Sequence, residues 1–230
     1  MEISLRLEKI ALMVDKCYCC ADIGTDHGYI PVYLLKNNIC IKSIASDINK
    51  LPLEKAMRNI NNNYLEKSIE CRLGSGLNTL KIKEAQGVII AGMGGNLIKD
   101  IIEERIDIFK HFDFAVLQPV QNPEVLRKYI YEKGFDILDE ELCIDENKFY
   151  EIIKVKYNTN KREKDDIYYE ISDTLLKKKH PLLKEYINEK INKYNKILEF
   201  IKEDTKLASN RKKEINCNIQ KLKELLVKCL

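Results

Sequence analysis

The sequence predicts an α/β protein: a doubly wound, mostly parallel sheet over residues 1–157 and a basic helical hairpin over residues 158–230. Three observations carry this. Five short apolar runs alternate with helical patterns through the first 133 residues, the pattern of strands buried on both faces and joined by crossover helices. After Gly134 two extended runs flank the polar turn Asp145-Glu146-Asn147-Lys148 with no helix between them, which reads as an antiparallel hairpin. From about Asp166 onward only helical periodicity remains.

Ile3, Leu7, Ile10, Ala11 and Val14 recur at helical spacing and open the chain with an amphipathic helix. Strands are expected at Cys19–Ile23, Ile41–Ser46, Ile69–Leu73, Val88–Ala91 and Phe114–Leu117, with helices at Ile30–Lys36, Leu53–Asn62, Leu97–Glu104 and Glu124–Lys133. Phe135–Cys143 and Phe149–Tyr157 form the hairpin. Farther on, Ile187, Ile191, Tyr194, Leu198 and Ile201 make one apolar stripe, and Ile215, Ile219, Leu222, Leu226 and Cys229 make a second. The polar stretch around Asp204–Asn210 separates them, so an antiparallel pair of helices with a coiled-coil-like seam is expected.

The net charge of +3 hides an asymmetry. Residues 158–230 carry 18 Lys and Arg against 12 Asp and Glu, whereas residues 1–157 carry 21 against 24. A basic appendage on a mildly acidic domain suits a polyanionic partner, although a solvated lysine-rich surface gives the same count. Eight Cys without an export signal or a membrane span suggest a reducing cytoplasm. Cys17, Cys19 and Cys20 are close in sequence, but no second pair at zinc-ligand spacing accompanies them, so no metal is expected.

In a doubly wound sheet, ligands bind beyond the carboxyl ends of the strands. Here every such end is decorated: Asp22 to Gly28 after the first strand, Asp47 and Ile48 after the second, Gly74-Ser75-Gly76 after the third, Ala91-Gly92-Met93-Gly94-Gly95 after the fourth, and Gln118-Pro119 after the fifth. An acid after the second strand also fits a dinucleotide fold, but Asp26 in the first turn would repel a pyrophosphate. An ammonium or sulfonium would be welcomed there instead, and S-adenosylmethionine presents both. On this reading Asp22 and Asp26 serve the methionine end, Gly24 and Gly28 allow close backbone approach, and Asp47 takes the ribose hydroxyls or caps a helix. Ser75 and Gly76 border the adenine. A charge-assisted hydrogen bond of this kind contributes about 1.5–3 kcal/mol.

The stretches Leu5-Arg6-Leu7, D-I-G-T-D-H-G-Y-I-P (22–31), G-S-G-L (74–77), A-G-M-G-G (91–95), Leu117-Gln118-Pro119 and K-F-Y-E-I (148–152) together resemble the bacterial tRNA (adenine-N1)-methyltransferase family TrmK. The matches run in order over roughly residues 1–157. The resemblance implies a Rossmann-like class I methyltransferase sheet, a tRNA-binding helical domain, and methyl transfer from S-adenosylmethionine to N1 of adenine 22. Where the family pattern reads Q-P-N, this chain reads Gln118-Pro119-Val120, with Asn122 two residues on, so a contact by that asparagine does not carry over.

N1 of adenine carries its own lone pair, so no general base is required, which agrees with a glycine-rich fourth strand end lacking Asp/Asn-Pro-Pro-Tyr. The candidates at the reacting base are Asp26, His27, Tyr29 and Gln118. Tyr29 stacks on an extruded purine or is half-buried in its helix; His27 touches base or cofactor or caps the helix start. Gln118, with Pro119, reads the adenine edge. Arg6 and Asn59 are further substrate candidates, and Asn59 equally caps or packs. Lys177, Lys178, Lys179, Lys184, Lys190, Lys193, Arg211, Lys212 and Lys213 are the expected phosphate contacts. A monomer acting on tRNA, without membrane or metal, is the expectation. Alternatives are a methyltransferase with a small-molecule or protein acceptor, and a non-catalytic RNA-binding module. A dehydrogenase is disfavoured by Asp26.

Overall fold

The computed structural model describes residues 3–202 and 205–228. The chain divides into two compact units, Met1–Glu163 and Lys164–Leu230.

The first unit is built on a seven-stranded sheet, β1 (Cys17–Ile23), β2 (Cys40–Asp47), β3 (Ile69–Leu73), β4 (Gly87–Gly94), β5 (Phe114–Gln121), β6 (Phe135–Asp145) and β7 (Lys148–Tyr157), in the order β3-β2-β1-β4-β5-β7-β6. The first five are mutually parallel, and β7 runs antiparallel between β5 and β6. Strand alternation builds two cores. Ala21, Ile23, Val88, Ile90, Ala115 and Leu117 face α4 (Gly95–Glu104) and α6 (Pro123–Glu132), which contribute Ile98, Ile102, Leu126 and Ile130. On the other face Cys20, Ile89, Phe114 and Val116 meet Ile10 and Ala11 of α1 (Leu5–Leu12) and Ile30 and Leu34 of α2 (Tyr29–Lys36). The helix α3 (Lys50–Asn62) brings Ile60 against Ala45 and Ile69. Cys19 and Cys20 pack into opposite faces, so they cannot converge on one ion.

The expected elements are present, with one marked extension and two short additions. β4 continues past Ala91: Ala91 pairs with Gln118, Met93 with Pro119 and Gly94 with Gln121, with register shifts on both sides of Met93. The glycine run is therefore a bulged strand and not a loop, because glycine permits the extra residue of a bulge. A short helix α5 (Ile106–Phe109) and a 3-10 turn at Gly76–Thr79 had no periodic signal. The β6–β7 turn uses Glu146 and Asn147 at φ 48° and 60°, the two left-handed central residues of a tight hairpin.

A buried ion cluster fixes α6 to that hairpin. Arg127 is fully buried, its Nε donates to Glu140 Oε1 at 2.8 Å, and its Nη2 donates to Glu151.

The second unit holds α7 (Ile167–Glu170), α8 (Asp173–Lys178) and the hairpin of α9 (Leu183–Phe200) and α10 (Lys206–Lys228). Ile187, Ile191, Ile215, Ile219 and Leu222 are buried as the spacing predicts. Leu225 takes the next buried position in place of Leu226, and Tyr194 and Leu198 are only partly covered. Cys229 lies outside the described residues. α10 begins earlier than the polar stretch suggests because the Thr205 hydroxyl accepts from the Ala208 N–H at 3.2 Å, an N-terminal cap.

Candidate active site

The carboxyl ends of β1 and β4 and the start of α1 enclose a cleft of about 350 Å³. Its floor is the turn between β1 and α2. Gly24 (φ 81°) and Thr25 turn their N–H groups back onto the Ser46 carbonyl at 2.8 and 2.9 Å, which ties the turn to β2. The terminal methyl of Met93 packs against the turn here, and the positive φ of Gly24, which side chains rarely adopt, calls for glycine. Gly28 (φ 65°) caps α2 in the left-handed conformation, with no side chain on the first amides of the helix.

The two acids of this turn have different surroundings. Asp22, one residue before the end of β1, is buried at 6% exposure. Burial pushes its carboxyl up to about 6; the Thr25 hydroxyl works against that shift and the charge of Asp47 adds to it. Asp26 stands at the tip with a 66% exposed side chain, 3.3 Å from His27 Nε2 and 3.9 Å from Lys55 Nζ. The His27 ring lies parallel to Tyr29, 5.1 Å between centroids and 12° between planes, so the two form a π surface at the rim. Asn59 lies behind this turn, donating from Nδ2 to the His27 carbonyl at 2.9 Å; it braces the loop and does not line the cleft.

On the opposite wall Arg6 reaches in from α1. Its Nη1 donates to Gln118 Oε1 at 2.7 Å, and its guanidinium lies 5.3 Å from the centre of the Tyr150 ring. Gln118 is fully buried, and its amide is used internally: Oε1 also accepts from the Gly92 N–H at 3.2 Å, and Nε2 donates to the Pro119 carbonyl at 2.9 Å. Gln118 and Pro119 therefore support the wall from behind, while Arg6, Ala91 and Gly92 line it.

Asp47, Ile48, Ser75 and Gly76 lie at the neighbouring ends of β2 and β3, outside this lining. Asp47 Oδ1 accepts from the Asn49 N–H at 2.6 Å, and its carbonyl accepts from Gly74 N–H at 2.9 Å. Ile48 is 65% exposed beside it. Thr25, Leu7 and Ile30 also line the cleft. Sequence reasoning passed over them because Leu7 and Ile30 carry only a core-like spacing, and a threonine between two acids has no signal of its own.

The basic residues fall in the second unit with mixed surroundings. Lys190 is held by Glu170 at 2.9 Å and lies over the Tyr186 ring, so it stabilises the helices instead of facing a phosphate. Lys177 bonds Asp173 at 3.1 Å and Arg211 bonds Glu214 at 2.8 Å, both on exposed helix surface. Lys184, Lys193 and Lys213 are exposed and Lys212 partly so. Among the described residues no group of three or more His, Cys, Asp or Glu is placed to hold a metal ion, and no helix is long and apolar enough to cross a membrane.

The profile of the TrmK family, described as tRNA (adenine(22)-N(1))-methyltransferase, matches residues 20–224. The chain belongs to the TrmK family. The tRNA (adenine(22)-N(1))-methyltransferase of Bacillus subtilis is 28% identical over 232 residues, 98% of either chain. Two solved structures carry the likeness to the whole fold. Streptococcus pneumoniae Sp1610 in complex with S-adenosyl-L-methionine superposes with a TM-score of 0.87 at 27% identity, covering 98% of this chain and 100% of the other. TrmK of M. capricolum in complex with S-adenosyl-homocysteine gives 0.84 at 26% identity, covering 98% and 100%.

Proposed function

We infer that this TrmK-family chain transfers a methyl group from S-adenosylmethionine to N1 of adenine 22 of tRNA. One observation in the fold supports it most: a cleft at the strand ends that combines a buried carboxylate, Asp22, with the glycines of the first turn and the small residues Ala91 and Gly92. Such a site suits the cationic end of the donor and a reaction that needs alignment more than side-chain chemistry. When bound, S-adenosylmethionine supplies an electrophilic methyl on a positively charged sulfur.

The chain's own residues do the rest. Asp22 and the glycines of the first turn hold the methionine end, with Asp47 and Ile48 toward the ribose and Ser75 and Gly76 toward the adenine. The side-chain-free surface at Ala91-Gly92 leaves room for a flat base, and the stacked His27–Tyr29 pair offers it a face. N1 is a Watson–Crick atom, so the base must leave its stack, at a few kcal/mol. Holding its lone pair in line can be worth about 7–11 kcal/mol. The exposed basic residues Lys193, Lys213 and Arg211, with Lys212, engage phosphates. We place the enzyme in the cytoplasm, supported by seven free cysteines among the described residues, and expect a monomer, to be tested by light scattering.

Nucleoside mass spectrometry after incubation with unmodified tRNA is the direct test. The expected product is 1-methyladenosine, lost when adenine 22 is replaced. Transfer to small acceptors but not to tRNA would overturn the assignment.

Asp22 gives a pH dependence of defined sign. Its carboxyl, pushed up to about 6 by burial, must be ionised to meet an ammonium. Donor affinity is therefore expected to be full above pH 7 and to fall as pH drops through about 6, with proton release on binding detected by calorimetry in two buffers. Asp22→Asn should flatten this profile and weaken binding by roughly 10- to 100-fold. It should also stabilise the ligand-free chain at pH 7.5. A carboxyl whose folded-state value is raised contributes its stability below the unfolded value near 3.9, and that contribution is lost as pH rises through the folded value, here about 6. A melting temperature that falls in the variant would contradict this.

A further inference from the structure

The amino ends of β1 and β2 lie at the opposite end of the sheet from the cleft, and they gather three thiols. Cys17 opens β1 and Cys40 opens β2, and the parallel register sets these two residues side by side. The Cys17 N–H donates to the Ile39 carbonyl at 3.1 Å, which fixes the pair in the ladder. Cys17, Cys20 and Cys40 all belong to the core between the sheet and α1 and α2, so their side chains share one face. Exposure separates them: Cys20 is fully buried, Cys40 is 4% exposed, and Cys17 is half-buried. Of the three, Cys17 is the one open to a reagent in solvent.

Register selects its partner. Neighbouring strands lie about 4.8 Å apart, within the roughly 4.4–6.8 Å between Cα atoms that a disulfide spans. Cys20 stands three positions along the strand from Cys17, about 10 Å away, too far to bridge without backbone movement. Cys19 faces the opposite core, Cys71 on β3 pairs with Ala45, and Cys143 lies on β6 at the far edge of the sheet. A hydrogen bond from the Cys20 thiol lowers the pKa of Cys17, against burial and the charges of Asp15 and Asp113. Burial raises that of Cys40. The two thiols thus have the unequal characters of an attacking and a resolving cysteine.

We propose that Cys17 and Cys40 form a hydroperoxide-sensitive dithiol, a modification site separate from the methyl-transfer cleft. The Cys17 thiolate attacks the peroxide; an S–O bond forms, the O–O bond breaks, and the released hydroxide is protonated to water. The Cys40 sulfur then attacks Cys17. An S–S bond forms, the S–O bond breaks, and the thiol proton of Cys40 leaves with the hydroxide as water. Two thiols and one hydrogen peroxide become one disulfide and two waters. The bridge halts Cys17 at a reversible stage, before sulfinic acid. It also closes residues 17–40, the segment that contains the turn from Asp22 to Gly28 and α2, into a loop. A reducing compartment returns the pair to thiols.

The test is peptide mapping of the full-length chain, treated with hydrogen peroxide, blocked with iodoacetamide and cut with trypsin. Cleavage after Lys16, Lys36 and Lys42 puts Cys17, Cys19 and Cys20 in residues 17–36 and Cys40 in residues 37–42. The expected product is these two peptides joined, with loss of two hydrogens, and separated again by dithiothreitol. Cys40→Ser should lose the link and leave Cys17 as a sulfenic acid that dimedone traps; Cys17→Ser should lose both. The wild-type map decides the pairing by itself, whatever the variants do to folding. Residues 17–36 closed on themselves, or joined to another cysteine, would overturn it. So would full alkylation of Cys17 and Cys40 at a peroxide dose that oxidises the exposed Cys217.

Discussion

A chain ending at Glu163 is expected to bind S-adenosylmethionine as the full-length protein does and to lose tRNA methylation by about a thousandfold or more. The first unit closes its own core: both faces of its seven-stranded sheet are covered by helices from within Met1–Glu163, and the cleft is lined entirely by residues up to Gly92. None of the residues lining the cleft lies in 164–230. The basic excess, however, resides there, and phosphate contacts dominate the affinity of such complexes; a protein making 6–10 of them loses about 10³–10⁵ in affinity between low and moderate salt. Calorimetry with S-adenosylhomocysteine and kcat/KM on tRNA measure the two halves separately. The full-length enzyme should also show a steep rise of KM for tRNA with salt that the shortened chain lacks. A shortened chain with undiminished tRNA activity would remove the second unit from the RNA account.

How far the site was legible depends on the range of each signal. Alternation of apolar residues is local, so Ala21, Ile23, Val88 and Ile90 announced a sheet buried on both faces, and the polar ends of those strands announced where a ligand would lie. The different characters of Asp22 and Asp26 were not apparent from composition, since both are acids of one turn. Position decides them: Asp22 still lies within β1, which is buried on both faces, and Asp26 falls at the exposed tip of the turn. The Arg6–Gln118 bond spans 112 positions of sequence, and no periodicity reports such a pair. Gly92 misled in the opposite direction, because a glycine run reads as a loop whether or not it continues a ladder. Lys190 looked like any other lysine of a basic helix until Glu170, brought beside it by α7, took its charge. Local patterns specify elements and strand ends; charge partners are assigned by tertiary packing.

Arg127→Met is expected to destabilise the fold by about 3–5 kcal/mol while leaving every cleft residue in place chemically. The methionine fills much of the volume, but it removes the cation that Glu140 and Glu151, 1% and 5% exposed, share. Removing one partner of a buried ion cluster leaves charge uncompensated and opens the α6–hairpin interface to water. In a chain of 230 residues this corresponds to a fall in melting temperature of roughly 6–20 °C. The triple change Arg127→Met, Glu140→Gln, Glu151→Gln should recover part of it by removing the stranded charges. The consequence reaches the active site through chain connectivity. α6 starts only two residues after β5, and β5 carries Gln118, so loosening α6 against the hairpin loosens the strand that holds Arg6 at the cleft wall. Donor affinity of the folded fraction should therefore weaken less than twofold at 15 °C and progressively more as the melting temperature is approached. A variant as stable as the parent by thermal unfolding would show that the carboxylates are compensated by something other than Arg127.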